Sequence, residues 1–223
     1  VIKIPDNNMD FVTASTLPIA LATMHNAIVT VGKFTEGQTI LIQGASSGVG
    51  LMGLQIAKYL GAKLIIGTST KPEKFDKLKS IGADLVVNSK DKDWVDQVLK
   101  ATNSEGIDLI IDQLSGYTIN ENMKASKVRG TVVNVGRLAG GSAEFNCDIH
   151  ALRRINYHGV TFRTRSINEI RDVYSKMWAD LSNLVTRGKL SLPIDKIFEL
   201  NDVADALSFM RGNQHFGKLI LKV

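Results

Sequence analysis

Seven residues, Gly44-Ala45-Ser46-Ser47-Gly48-Val49-Gly50, have the types and spacing to hold a phosphate. They close a short apolar run at 39–42 and open an amphipathic stretch at 49–60. Small residues at a strand-to-helix turn let backbone N–H groups approach a pyrophosphate. The helix N-terminus then adds about half a positive elementary charge facing that anion. The chemistry implied is dinucleotide binding. Ala45 and Ser47 stand where strict G-x-G-x-x-G spacing has glycine, and such a turn in isolation is equally a tight turn without a ligand. Its place in a repeated strand–helix pattern favours the ligand.

The residues that follow bear on which dinucleotide is bound. A site for NAD places an acid roughly 20 residues beyond the glycines, to bind the ribose 2′-OH. No Asp or Glu lies between Gly50 and Glu73; the chain offers Ser69, Thr70, Lys71 and Lys74 there. Hydroxyls and cations suit a 2′-phosphate, so the expected cofactor is NADPH. Lys71, Lys77 and Lys79 read as a solvated helix face, and Lys74 alone of that group is assigned to the phosphate.

Other candidates for chemistry are weaker. His25, His150, His158 and His215 lack metal-ligand spacing, so no metal site is expected. Cys147 reads as a small core or loop hydrophobe. Asp112 falls at a strand end, where a turn Asp hydrogen-bonds its own backbone, and it is kept off the list of site residues.

The elements that must position these groups follow from periodicity. Short Val/Ile/Leu runs at 39–43, 64–68, 84–88, 107–112, 131–135 and 159–163 alternate with helical patterns, as in a parallel sheet covered on both faces. The expected fold is α/β, a Rossmann-type doubly wound sheet of six parallel strands. The first helix buries Val49, Met52, Ile56 and Leu60; the second starts at Pro72 and buries Phe75, Leu78 and Ile81; the third spans 91–101. A long helix at 167–187 ends the pattern. A strand (194–200), a helix reaching Met210 and a last strand (218–223) read as a return to a second domain.

Composition bounds the partners. The 223 residues are 44% hydrophobic with net charge +5 and a pI near 9.3. The basic residues are scattered and do not interleave with aromatics, so no nucleic-acid groove is expected. One cysteine excludes an internal disulfide and suits a reducing cytoplasm. No apolar stretch reads as long enough to cross a membrane, and no signal sequence is evident. The missing initial Met implies removal of upstream residues.

Two oxidoreductase families carry a turn of this kind. Gly44, Gly48 and Gly50 match the G-x-x-x-G-x-G of short-chain dehydrogenases, which also need a Tyr-x-x-x-Lys pair. Here that spacing occurs only at Tyr59 and Lys63, between the first helix and second strand, which is topologically wrong. Along almost its whole length the chain instead resembles the medium-chain dehydrogenase/reductase superfamily, and within it the zinc-independent, zeta-crystallin-like quinone oxidoreductases. The matching residues are Leu17-Pro18 to His25-Asn26-Ala27, the phosphate turn with Gln55, Ala57 and Lys58, Ile81-Gly82-Ala83-Asp84, Ile111-Asp112, Val135-Gly136 and Gly217-Lys218-Leu219-Ile220-Leu221.

The resemblance implies roles. Ser46, Ser47, Gly48 and Val49 face the pyrophosphate; Ser69 and Lys74 the 2′-phosphate; Leu114, Val135, Gly136 and Leu138 the nicotinamide half. Thr23 approaches the nicotinamide ring and Lys218 a cofactor phosphate. Ser47, His25, Gln113 and Ser115 depart from the family's usual residues. The resemblance also implies a GroES-like barrel ahead of Val1. Residues 1–22 are then the barrel's tail and connecting segment, 23–192 the NAD(P)-binding domain, and 193–223 the return to the barrel domain.

The implied activity is hydride transfer from NADPH to a quinone or conjugated enone. An enoyl reductase or a non-catalytic NADPH-binding module are the alternatives. The barrel supplies much of the acceptor pocket, so no catalytic residue is named and this chain alone is expected to be inactive. A homodimer is expected through the edge strand around His158 and Arg163.

Overall fold

The computed structural model describes residues 9–223. Residues 1–8 of the expected barrel tail lie outside the described residues. Strands β1 (Thr39–Ile42), β2 (Leu64–Thr68), β3 (Leu85–Val87), β4 (Ile107–Asp112), β5 (Ser126–Asn134) and β6 (Asn156–Gly159) form one parallel sheet, in the order β3-β2-β1-β4-β5-β6. The order reverses between β1 and β4, which opens a crevice at the carboxyl ends of these neighbours, where ligands of such sheets bind.

The strands read as unbroken apolar runs because both faces are covered. Ile40, Ile42, Leu109 and Ile111 pack with Met24, Met52, Ile56, Met177 and Leu181 on one side. Leu41, Ile66, Ile110 and Val132 pack with Trp94, Val98 and Met123 on the other. The first cluster draws on α2 (Pro18–His25), α3 (Gly48–Tyr59) and α8 (Ile167–Thr186); the second on α5 (Trp94–Ala101) and α6 (Ile119–Ala125). Ser166 and Glu169 cap α8 reciprocally, satisfying two of its orphan donors.

Several boundaries differ from the sequence expectation. A 3-10 turn (Pro72–Lys74) precedes α4 (Phe75–Ile81), so the helix proper starts after Pro72. Strand β5 begins five residues before position 131, at Ser126. The edge strand is Asn156–Gly159, not 159–163. Its residues Asn156, Tyr157, His158 and Gly159 are polar or small and mostly exposed, so they carry no apolar period. The Val-Thr-Phe that follows does carry one, yet β5 ends at Asn134, opposite Gly159, and leaves it no ladder to join.

After α8, β7 (Ile194–Glu199) and β8 (Lys218–Lys222) form a separate parallel pair, linked through α9 (Val203–Arg211). Near the other end, α1 (Phe11–Thr16) leads into α2. The helical run Phe11–Val31 corrects one expectation: at 21 residues, with a mean hydropathy of 1.3 over its most apolar window, it is long and apolar enough to cross a membrane. Threonines, His25 and Asn26 interrupt the apolar letters without adding a formal charge. More than half of its most apolar window is buried inside the protein, where α2 packs against α3.

Candidate functional site

The turn after β1 is held by a ladder of side chains. Gln43 Nε2 donates to Asn122 Oδ1 (2.6 Å), Thr68 Oγ1 donates to Gln43 Oε1 (2.8 Å), and Gly44 N donates to Thr68 Oγ1 (3.0 Å). Gln113 Nε2 donates to Gln43 O at 2.9 Å. Ser47 caps α3: its Oγ accepts from Gly50 N and donates to Gln113 Oε1 at 3.1 Å. The Ser47 hydroxyl is thus used by the protein. What the turn presents is the start of α3 at Gly48 and Val49, whose N–H groups have no carbonyl within the helix. Ser46 is half-buried beside them.

Lys218 completes this end. Gly217 pairs with Ser47 in a parallel bridge, which lays the Lys218 stem across Gly48. A Cβ at Gly48 would come within 2.8 Å of Lys218 Cε and 3.3 Å of Gly217 O, so a side chain here would push the lysine's end aside. Burial pushes the Lys218 ammonium below its usual range, and no carboxylate pairs with it among the described residues. A cation and a helix N-terminus facing the same space repel one another unless an anion lies between them. These residues fit a cofactor's pyrophosphate.

Ser69 and Lys74 are both buried. Ser69 N donates to Val87 O at 3.1 Å, and its Oγ accepts from Lys71 N. Lys74 is placed otherwise than expected: its Nζ donates to His215 O at 2.7 Å and Asn213 O at 3.3 Å. The C-terminal segment folds over the start of α4, and its carbonyls are the acceptors within reach. Burial, more than the neighbouring lysines, holds the Lys74 pKa down. Burial and then the Lys74 charge lower that of His215, whose Nδ1 is buried without a partner.

At the other end, a cleft of about 460 Å³ brings together Thr23, Val135, Gly136 and Leu138. Asn26, Arg137 and residues 160–163 also line it, and none of these was assigned to the cofactor site from sequence. Leu114 sits between cleft and turn; a Cβ at Gly44 would lie 3.3 Å from its Cδ2. Asp112 Oδ1 accepts from Leu114 N and Ser115 N, each at 2.9 Å, the backbone role expected of it. Burial raises its pKa. Burial first, and the Asp112 charge next, push the Tyr157 phenol up to about 12.

Ser115 occupies a strained conformation at φ 56°, ψ −149°. Its Oγ donates to Gly136 O (2.7 Å) and accepts from Asn134 Nδ2. The departures at Gln113 and Ser115 therefore tie the loop after β4 to the turn and to the loop after β5. His25 is buried with Nε2 2.7 Å from Asp180 Oδ2, outside the cleft lining. Cys147 is exposed at the start of α7 (Cys147–Arg153) rather than in the core. Among the described residues no three His, Cys, Asp or Glu side chains cluster to hold a metal.

This geometry has relatives. A family profile described as zinc-binding dehydrogenase matches residues 48–182. The chain is 27% identical over 223 residues to a phenolphthiocerol/phthiocerol polyketide synthase of Mycobacterium tuberculosis, covering 100% of this chain and 10% of that protein. The chain thus spans about a tenth of that curated relative's length. Among solved structures, quinone oxidoreductase of Pseudomonas syringae pv. Tomato DC3000 is similar at a TM-score of 0.87 and 25% identity, over 100% of this chain and 67% of that one. CurK enoyl reductase is similar at 0.84 and 26%, over 99% and 65%. With the phosphate turn, the switch-point crevice and the profile match all on the same sheet, the chain belongs to the zinc-binding dehydrogenase family, within the medium-chain dehydrogenase/reductase superfamily of oxidoreductases.

Proposed function

We propose that this chain binds NADPH, and that the protein it belongs to passes hydride to a quinone or conjugated enone without zinc. The observation that carries the reading is Lys218 lying across Gly48 at the start of α3, unpaired and half-buried. The turn and Lys218 hold the pyrophosphate, Ser69 and Lys74 lie toward the 2′-phosphate, and Thr23, Val135 and Gly136 flank the nicotinamide. When bound, the cofactor supplies a hydride at its ring. The protein's part is to hold that ring in line with the acceptor and to keep water from one side of it. Thr23 and Asn26 are among the polar side chains of the cleft lining and supply hydrogen bonds that orient the reactants.

The polyketide synthase relative and the CurK enoyl reductase favour a second reading, in which the acceptor is an enoyl group. A non-catalytic NADPH-binding module is distinguished from both by turnover. The test is a thermal-shift and affinity titration of the 223-residue chain with NADPH and NADH, with an absorbance assay on the same sample. NADPH stabilises by RT ln(1 + [L]/Kd). Lys218→Met weakens that binding about tenfold to a hundredfold, the worth of a charge-assisted hydrogen bond. Oxidation by quinones stays close to the rate in buffer. Absence of a shift at millimolar NADPH overturns the cofactor assignment, and fast turnover overturns the expectation that the chain alone is inactive.

A further inference from the structure

The cleft beside the nicotinamide positions is cationic, and no ion pair among the described residues neutralises it. Arg137 and Arg163 both line it and both are exposed. The cleft lining contains no Asp or Glu, and neither arginine forms an ion pair among the described residues. The Arg137 side chain bonds only the carbonyl of Val135, at 3.3 Å. Arg165 behaves differently. Its Nε donates to Thr161 O at 2.9 Å, its guanidinium lies 5.5 Å from the Phe162 ring centre, and its charge faces Glu169. Arg165 thus shapes the 161–165 segment, which carries Arg163 to the cleft.

Two unpaired guanidiniums lining one concave site focus a positive potential into it. Each presents a planar fork matched to a carboxylate or phosphate. The cofactor's own anions are assigned elsewhere, the pyrophosphate to Gly48 with Lys218 and the 2′-phosphate to Ser69 with Lys74. A volume of about 460 Å³ lies in the range of small-molecule sites. A neutral quinone would leave both charges without a counter-charge.

We propose that the acceptor carries an anionic group, a carboxylate or phosphate, which Arg137 and Arg163 hold at the mouth of the cleft. The inference rests on the placement of NADPH above and narrows the acceptor to an anion-bearing conjugated carbonyl compound. The two arginines position the acceptor; the hydride comes from the cofactor.

The probes are trans-acetylacrylate and its methyl ester, the same enone with and without a charge, titrated into the NADPH-loaded chain by calorimetry. The acid binds about tenfold tighter than the ester, as a charge-assisted contact requires. The paired variant Arg137→Gln/Arg163→Gln removes that preference and leaves NADPH affinity unchanged. Displacement of the acid by inorganic phosphate below the concentration at which acetate acts assigns a phosphate, and the reverse order assigns a carboxylate. Equal binding of acid and ester by an NADPH-loaded parent overturns the anion proposal alone. A paired variant that loses NADPH affinity along with the preference assigns the arginines to the cofactor and also overturns it. A parent that binds no NADPH overturns both readings together.

Discussion

Gly136 lies flat against Gln113: a Cβ at residue 136 would stand 2.4 Å from the Gln113 carbonyl oxygen and 3.0 Å from its Cα. Backbone meets backbone there, so no side chain can swing aside. The contact joins the loop after β4 to the loop after β5, and Gln113 extends the link to Ser47 in the phosphate turn. Gly136→Ala is expected to cost about 1–3 kcal/mol through overpacking and to weaken NADPH binding by displacing both loops. A urea midpoint equal to that of the parent would show that the loops are not locked together.

We propose that Lys74 has two roles, and one substitution separates them. Lys74→Met removes the donor to the Asn213 and His215 carbonyls, with an expected loss of about 1 kcal/mol in stability. It should also weaken NADPH about tenfold to a hundredfold while NADH hardly changes, since only NADPH carries the 2′-phosphate. Measured dissociation constants for both cofactors decide. Equal losses assign the lysine to the C-terminal segment alone.

Asp112 links pH to stability. Burial raises its folded-state pKa above the unfolded value, so between the two values the folded state binds more protons. Stability contributed by the protonated form is full below the ordinary carboxylate pKa and is lost as pH rises through the higher folded value. Asp112→Asn keeps an acceptor for Leu114 N and Ser115 N but cannot ionise. The parent's stability relative to this variant should therefore fall with rising pH in that window, by about 1.4 kcal/mol per tenfold difference in proton affinity. Denaturation curves at several pH values that keep a constant difference contradict this.

We propose that two copies pair through β6, whose outer edge carries unpaired backbone groups. Val160 N donates to Asn134 O, so by strand alternation the Gly159 N–H faces away from β5. A Cβ at Gly159 meets nothing within 4 Å. Gly159→Pro should remove an intermolecular donor without an internal clash and yield a monomer by light scattering. A parent already monomeric at micromolar concentration rules the pairing out.

Local chemistry made much of this protein legible before folding. Apolar runs announced the buried strands, glycines marked the start of α3, and Asp112 was recognisable as a turn residue. Each depends on neighbours within one or two turns of chain. The edge strand was not legible, because polar residues at 156–159 become a strand only by pairing with β5. Lys74 read as a phosphate ligand, yet its hydrogen-bond acceptors lie 139 and 141 residues away, and only the docking of the C-terminal segment brings them near. The same docking lays Lys218 over Gly48. The pairing of β5 with β6 brings Arg137 and Arg163 to the lining of one cleft. Spacing along a chain encodes periodicity and turn geometry; which distant charge comes to rest beside which backbone is decided when the layers close on a shared core.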